Sequence, residues 1–354
     1  MHTTTHRFTA IAVILAFLLS VQLVFAISGA GAATSLPDTQ PEKGVAIHKG
    51  WPSHLRFLSG PNGGQWFTMG DPIAEILTRH VVPTNARVGG GVENIASINA
   101  KRGDIGFSLT CFMGASQSGE KEYQDIALDN IALLASVYPQ VLYFLLRKDF
   151  ADKNGITDVE SLLRLKAPVR FASLKPGTAS KFTLDLLFKY GYDTSFDDLR
   201  KQGWNIAFNN YAETADNFVS GELDCFAYTA GTVVPLILTM EKHTSIVVLS
   251  VERKVLDLMQ KKFNLQTYTI KPGVYSSVQT PVDTLSDYTC LLVRKDFPDD
   301  LVFEIAKALW ENRKVVSDII VDFGMLSPDS AAPPGLPMHP GALAFWQAVA
   351  KKQQ

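Results

Sequence analysis

Cysteine and histidine are scarce in this chain, and their spacing excludes several kinds of chemistry. The 354 residues include 3 cysteines and 7 histidines. Because no C-x-x-C motif is present, a zinc site or a dithiol redox centre has no ligand pattern. At most one disulfide can form, and the simplest expectation is that Cys111, Cys225 and Cys290 are small apolar core residues. We therefore expect no bound metal and no cofactor.

An excess of charge of either sign is also absent. Lysine and arginine number 33 and aspartate and glutamate 35, for a formal net charge of −2. This balance argues against a nucleic-acid-binding protein, which neutralises phosphates with a clustered basic surface. The composition, 46% hydrophobic and 19% charged, is that of a globular protein and excludes wholesale disorder. At roughly 100–200 residues per domain, the length predicts two domains.

Motifs of the common enzyme classes are missing as well. The sequence has no G-x-S-x-G elbow, no H-E-x-x-H and no Walker loop. Its carboxylates are scattered, without a pair suited to general acid and base catalysis. We therefore expect a protein that is not an enzyme.

Only the N-terminus carries an apolar run that approaches membrane-spanning length. The run covers residues 8–25 and is followed by small residues, with plausible cleavage after Ala26 or near Ala32. An uncleaved anchor is the alternative reading. No cysteine follows the run, so a lipoprotein anchor has no attachment point. We expect residues 1–33 to be a signal peptide and the mature protein to be periplasmic.

After this segment, predicted strands and helices alternate, which is typical of an α/β fold with mainly parallel sheets. We predict strands at 54–59, 105–109, 169–173, 223–228, 245–251 and 288–294, and helices at 182–190, 213–219 and 301–318. Asp71 as N-cap and Pro72 in the first turn predict the start of the first helix. Two apolar stretches within 130–146, on either side of Tyr138 and Pro139, predict a crossing between lobes.

The two halves of the chain repeat one order of elements. Each has a strand, a glycine-rich turn and a helix, and then a helix–Gly–acid–strand segment, at 100–107 and at 218–226. Helix–Gly–strand is common in α/β units generally, but the matched order predicts two α/β lobes, joined by crossing strands, that close on a ligand by hinge motion. We place lobe 1 at 50–140 plus 276–350 and lobe 2 at 141–275.

Two glycine-rich turns are candidate ligand loops. They are Gly60–Phe67 and Lys175–Ser180, each between a strand and a helix. Gly63 and Gly64 allow close backbone approach, and exposed N–H groups there can hold a carboxylate. A tight βα turn with no ligand role is the alternative for each.

In these motifs the chain resembles the TAXI-type solute receptors, the substrate-binding proteins of one class of TRAP transporters. The resemblance rests on Gly60–Phe67, on Gly90–Asn94 with the following Arg102–Asp104, on Ile270–Tyr275 and on Met338–Ala342. It implies a bilobal type II periplasmic-binding-protein fold and capture of a small organic acid or amino acid between the lobes. It also implies delivery of that ligand to a TRAP-type membrane permease. We expect the receptor to be a monomer.

The resemblance also implies a set of ligand-binding residues. By position these are Gly63, Gly64, Gln65, Trp66, Phe67, Gly91, Val92, Glu93, Asn94, Thr110, Pro176, Gly177, Thr178, Ala179, Ser180, Tyr228, Thr229 and Gly231. Two segments depart from the family pattern, Thr110–Met113 and Leu174–Thr178, and both are less polar or less glycine-rich than usual. Ligand specificity is therefore not transferred from the family.

Two other functions stay open at this stage. One is a periplasmic ligand sensor that presents its closed form to a signalling protein. The other is an enzyme on the same bilobal scaffold, for which Cys111 is the only candidate nucleophile.

Overall fold

The structure, a computed structural model, describes residues 48–113, 129–333 and 335–353. The predicted signal peptide lies outside the described residues. Within them, no helix combines the length and the apolar character that crossing a membrane requires.

The described residues form a mixed α/β fold around one ten-stranded sheet. The strands are β1 Leu55–Leu58, β2 Thr84–Arg87, β3 Ile105–Leu109, β4 Ile131–Arg147, β5 Arg170–Leu174, β6 Asn205–Asn209, β7 Cys225–Ala230, β8 Ile246–Val248, β9 Gln266–Ile270 and β10 Val282–Arg294. The helices are α1 Gln65–His80, α2 Gly91–Asn99, α3 Lys148–Asn154, α4 Val159–Leu163, α5 Ala179–Leu186, α6 Phe196–Lys201, α7 Tyr211–Val219, α8 Pro235–Met240, α9 Arg253–Phe263, α10 Asp299–Glu311, α11 Arg313–Ser317, α12 Pro328–Ala331 and α13 Pro340–Gln353.

Strands β4 and β10 lie at the centre of the sheet. The strand order is β2-β1-β3-β10-β4-β7-β5-β6, with β8 beside β4 and β9 beside β10. Pairing is parallel within β2-β1-β3 and within β7-β5-β6, and antiparallel where β10 meets β3 and β4. The first part of β4 pairs with β10 and the last part, from Val141 to Leu146, pairs with β7. These two strands are therefore shared by both predicted lobes, which confirms the crossing-strand architecture.

The crossing strand β4 is one element and not two. It runs for 17 residues and is buried almost throughout, with Pro139 inside it opposite Tyr288 of β10. A strand buried on both faces is apolar without alternation. The proline therefore marks no break in the strand.

The predicted repeat of the two halves is visible as a repeated ion pair. In the first half, the backbone N–H and Nε of Arg56 both donate to Oδ2 of Asp104, at 2.9 and 2.7 Å. In the second half, Arg170 makes the same two contacts with Oδ2 of Asp224, at 2.8 and 3.1 Å. The acid of each helix–Gly–acid–strand segment thus ties that segment to the first strand of its own half.

Several predicted boundaries were wrong. Helix α1 begins at Gln65, six residues before Asp71, and Pro72 lies inside it. The proline removes one backbone donor, but burial of Trp66, Met69 and other apolar side chains holds the first turns in place. The helix predicted at 301–318 is two helices, α10 and α11.

The C-terminal segment is part of the core. Helix α13 begins at Pro340, and its Trp346 is 2% exposed. The indole Nε1 of Trp346 donates to the carbonyl of Leu134 in β4 at 2.9 Å. Of the three cysteines, which are all free thiols, Cys225 and Cys290 are buried and Cys111 is partly exposed.

Candidate functional site

The N-termini of four helices converge on one small cavity. Two of them, α1 and α2, belong to predicted lobe 1, and α5 and α7 belong to predicted lobe 2. The cavity is lined by Pro61, Gly64, Gln65, Trp66, Gly91, Gln140, Leu174, Thr178, Ala179, Ser180, Tyr211, Thr229 and Ala230. Its free volume is ≈ 20 Å³, which is about the room that one water molecule needs. The two lobes are therefore closed on each other in this structure.

Local sequence explains why the helices begin at the cavity. Gly64 and Gly90 are the N-caps of α1 and α2, in extended backbone conformations that carry no side chain toward the opposite lobe. Thr178 caps α5, where its hydroxyl accepts the N–H of Lys181, and Asn210 caps α7. A Cβ on Gly90 would lie 2.6 Å from the carbonyl oxygen of Gly177, so only glycine allows this approach of the two turns.

Backbone N–H groups at these helix starts lack hydrogen-bond acceptors. Within the described residues, the N–H groups of Gln65, Trp66, Gly91, Ala179 and Ser180 have no partner, and all five residues line the cavity. The positive ends of helix dipoles and free N–H groups both favour an anion. None of the described lining residues is charged. The cavity is therefore suited to a carboxylate held by backbone groups.

Hydrogen bonds across the cavity hold the two lobes together. Gln65 of α1 donates from Nε2 to the carbonyl of Val233 at 3.0 Å and accepts the N–H of Gly231 at 2.6 Å. The buried carboxylate of Asp322 accepts the N–H of Thr232 at 3.1 Å and also its hydroxyl. Gln65, which was predicted to contact ligand, is thus engaged in contacts between lobes.

Other cross-lobe bonds join the two glycine-rich regions. The N–H groups of Val92 and Glu93 donate to the carbonyl of Gly177, at 3.1 and 3.2 Å. These bonds use two donors at the start of α2 and leave Gly91 as its free donor. A ligand that entered here would have to break these hydrogen bonds or compete with them.

Eight of the predicted ligand residues lie in the cavity wall. They are Gly64, Gln65, Trp66, Gly91, Thr178, Ala179, Ser180 and Thr229. The structure places the others outside the wall: Gly63, Phe67, Val92, Glu93, Asn94, Thr110, Pro176, Gly177, Tyr228 and Gly231.

The residues outside the wall have other partners or are exposed to solvent. Asn94 is fully buried, and its side chain donates to the carbonyls of Ser59 and Phe107, tying α2 to the sheet. Phe67 is 42% exposed on α1. Tyr228 is fully buried, with its ring centroid 4.2 Å from that of Phe226. Position relative to a strand end could not reveal these inward or outward orientations.

Five wall residues were not among the predicted ligand residues: Pro61, Gln140, Leu174, Tyr211 and Ala230. Two of them, Gln140 and Tyr211, carry polar groups. Gln140 is 6% exposed in β4, and its Oε1 accepts the hydroxyl of Thr289 at 2.9 Å, which leaves its amide NH₂ without a partner in the described part of the chain. Tyr211 begins α7 and donates from its hydroxyl to the carbonyl of Thr229 at 2.8 Å. A polar residue within the apolar run of β4, and a tyrosine directly after the cap Asn210, were the available signals.

Cys111 lies outside this cavity. Burial, reinforced by the neighbouring carboxylate of Asp287, raises the pKa of the Cys111 thiol well above its ordinary value. The thiolate is the nucleophilic form of cysteine, so this environment does not activate the residue. Among the described residues, no group of three or more histidine, cysteine or acidic side chains is arranged to hold a metal ion.

A family model described as the NMT1-like family matches residues 57–348. Among solved structures, MatC from Rhodopseudomonas palustris with bound malate is 14% identical, with a TM-score of 0.50 over 85% of this chain and 98% of that one. The periplasmic binding protein BugD is 14% identical, with a TM-score of 0.47 over 86% of this chain and 95% of that one. The likeness to MatC identifies the fold as the bilobal type II fold of periplasmic binding proteins.

Proposed function

Since the chain belongs to the NMT1-like family, we propose that it is an exported receptor that captures a small carboxylate or amino acid between its lobes and delivers it to a TRAP-type permease. The family is one of substrate-binding proteins, which are not enzymes. Solute binding is thus the established part of the function. The ligand class, the export and the permease are the proposed parts.

The observation that carries the ligand class is the convergence of four helix N-termini on one cavity. A carboxylate there would accept hydrogen bonds from Gly91 of lobe 1 and from Ala179 and Ser180 of lobe 2. Each helix end favours an anion by about 0.3–1 kcal/mol when exposed and by up to about 2 kcal/mol when partly buried. Donors from both lobes on one ligand would couple binding to closure.

The side-chain part of the wall supports a ligand with a modest apolar portion. Trp66 is held by a hydrogen bond from its Nε1 to the hydroxyl of Thr289 at 3.2 Å. Tyr211 faces it from the other lobe as a second aromatic wall residue. Because the closed cavity has room for about one water molecule, a ligand must enter through an open state, with bending in β4 and β10.

Thermal unfolding of the mature chain, residues 33–354, tests the ligand class. Malate comes first in the panel because MatC holds malate, followed by other dicarboxylates, 2-oxo acids, amino acids and aromatic acids. At a hundredfold excess over its Kd, a native-state ligand adds about 2.7 kcal/mol, a shift of several degrees. If no acid shifts the transition, and mass spectrometry of the denatured protein finds no copurified acid, the proposal fails.

Export and delivery have their own tests. N-terminal sequencing of the protein from the periplasmic fraction is expected to begin after Ala26 or near Ala32. Uptake of the radiolabelled acid is expected to need an ion gradient in cells that contain this chain. In cells that lack the chain, uptake is expected to fall to background. Unchanged uptake, with an intact response to the acid at a signalling protein, would instead favour the sensor function.

A further inference from the structure

A second cavity shares no lining residue with the first. Its volume is ≈ 610 Å³, within the range of about 300–1,000 Å³ that small-molecule sites occupy. Its wall includes Ser136 of β4, Asp287 and Tyr288 of β10, and Asp329 of α12. We propose that this cavity, which we call the acidic cavity, binds an organic ammonium ion, a second ligand independent of the carboxylate in the cleft.

The first support is a buried carboxylate that forms no ion pair within the described part of the chain. Asp287 is 6% exposed and accepts hydrogen bonds from the hydroxyl of Thr110, from the N–H of Cys111 at 2.8 Å and from the N–H of Tyr288 at 2.7 Å. All of these donors are uncharged. Burial raises the pKa of Asp287 above its ordinary value, which is the effect of removing a carboxylate from water without supplying a positive charge.

The charges of the wall all have one sign. Asp329, an exposed residue, adds a second carboxylate, and none of the described lining residues is a lysine, an arginine or a histidine. Two carboxylates repel an anion and attract a cation. A carboxylate ligand of the kind proposed for the cleft is therefore disfavoured here.

The second, independent support is a hydroxyl side chain in the wall of the acidic cavity, that of Ser136. Ser136 is 2% exposed and lines the acidic cavity, yet in the described part of the chain its hydroxyl makes no hydrogen bond. An ammonium group donates up to three hydrogen bonds, and Ser136 and Asp287 both offer acceptor oxygens in this wall.

Tyr288 adds an aromatic residue to the wall of the acidic cavity. It is 37% exposed and lines the same cavity. An aromatic face attracts an organic cation and also covers its apolar part. The wall thus contains carboxylate, hydroxyl and aromatic residues, which are the residue types that bind a primary amine on an apolar group.

Isothermal titration of the mature chain with phenethylammonium tests the proposal. The matched probes are 2-phenylethanol, which lacks the charge, and 3-phenylpropionate, which reverses it. We expect phenethylammonium to bind at least tenfold more tightly than either probe. Equal affinity for 2-phenylethanol would show that the cavity is only an apolar pocket and would overturn the proposal. The absence of phenethylammonium binding would overturn it as well.

Variants locate the site. Ser136→Ala removes a hydroxyl that makes no hydrogen bond to the described residues, so it is expected to fold and to weaken phenethylammonium binding by about threefold or more. The matched control is Ser173→Ala, because Ser173 is a buried serine whose hydroxyl has no partner among the described residues and which lines neither cavity. Asp287→Asn is expected to weaken phenethylammonium binding at least tenfold. If Asp287→Asn does not fold, Asp329→Asn takes its place in the test.

The two sites are separated by one further comparison. Thr178→Ala, which alters the cleft, is expected to leave phenethylammonium binding unchanged. If Thr178→Ala weakens phenethylammonium binding while Ser136→Ala and Asp329→Asn do not, the amine binds in the cleft and the acidic cavity is not an amine-binding site.

Discussion

The carboxylate of Asp322 holds the backbone N–H of Thr232 at 3.1 Å and accepts its hydroxyl as well. Asp322 lies in a short helical turn of predicted lobe 1, and Thr232 follows strand β7 of predicted lobe 2. Both residues are buried. This pair, with Gln65 beside it, fastens the two lobes in the closed arrangement.

Loss of the Asp322 charge is expected to favour the open form. Hydrogen bonds to a charged group contribute roughly 1.5–3 kcal/mol, so Asp322→Asn removes a large part of the closing energy. Small-angle scattering of the ligand-free variant is expected to give a larger radius of gyration than the unmodified chain. Asp318→Asn is the control, because Asp318 is an exposed residue that pairs only with Lys314 in the described structure. An unchanged radius for Asp322→Asn would show that this pair does not hold the lobes.

A side chain at Gly64 is expected to abolish ligand binding without unfolding the protein. A Cβ there would lie 2.6 Å from Cε2 of Tyr211 in the opposite lobe. Opening of the cleft relieves that clash, so Gly64→Val should fold but close poorly. Titration of the variant with the identified acid is expected to show at least a hundredfold loss of affinity. Gly324→Ala, whose Cβ meets Ser317 at an ordinary 3.4 Å, should bind normally. Retained binding in Gly64→Val would remove this loop from the site.

The cap of α5 is expected to matter for both stability and binding. Thr178→Ala removes the side-chain acceptor for the N–H of Lys181 and should lower the free energy of unfolding by about 1 kcal/mol. It should also weaken ligand binding, since α5 contributes two of the proposed hydrogen-bond donors. Ser195→Ala removes the equivalent cap of α6, away from the cavity. Urea unfolding should show a similar loss for both variants, whereas only Thr178→Ala should bind more weakly. Equal affinities would mean that the α5 start does not contact ligand.

The ion pair of Asp104 predicts a loss of stability in acid. Although burial opposes ionisation, hydrogen bonds from Arg56, with Arg294 nearby, hold the pKa of Asp104 below its ordinary value of 3.8. A carboxyl with a lowered folded pKa stabilises the fold above its unfolded pKa, and that contribution is lost as the pH falls below about 4. Asp104→Asn should therefore unfold at lower urea concentration at pH 7 and show a weaker dependence on pH between 5 and 3. An identical pH profile in variant and unmodified chain would exclude this role.

The fold was predictable from the sequence wherever the pattern was local. The acids of the two helix–Gly–acid–strand segments mark the repeat, and the apolar run before Arg147 marks the crossing strand. Strands β2, β6 and β9 were missed because partly exposed strands lack a continuous apolar signal. The start of the first helix was wrongly predicted at Asp71 and Pro72. The helix begins earlier because burial of Trp66 in the tertiary structure outweighs this local start signal.

The site was only partly predictable, for a geometric reason. The turns around Gly64, Gly91 and Thr178 could be recognised as helix starts. Gln140 and Tyr211 reach the cavity only because distant segments fold together. Their sequence signals, a polar residue in an apolar run and a tyrosine after a cap, do not tell which segments meet. Conversely, Tyr228 has the sequence position of a ligand residue but lies within an aromatic cluster.

A crystal structure of the mature chain with the acid that most raises its melting temperature tests the central claim most directly. The account predicts carboxylate oxygens at about 2.7–3.2 Å from the backbone nitrogens of Gly91, Ala179 and Ser180, with the lobes closed around them. A carboxylate bound elsewhere, or held in the cleft by a lysine or an arginine with these three nitrogens unengaged, would contradict it.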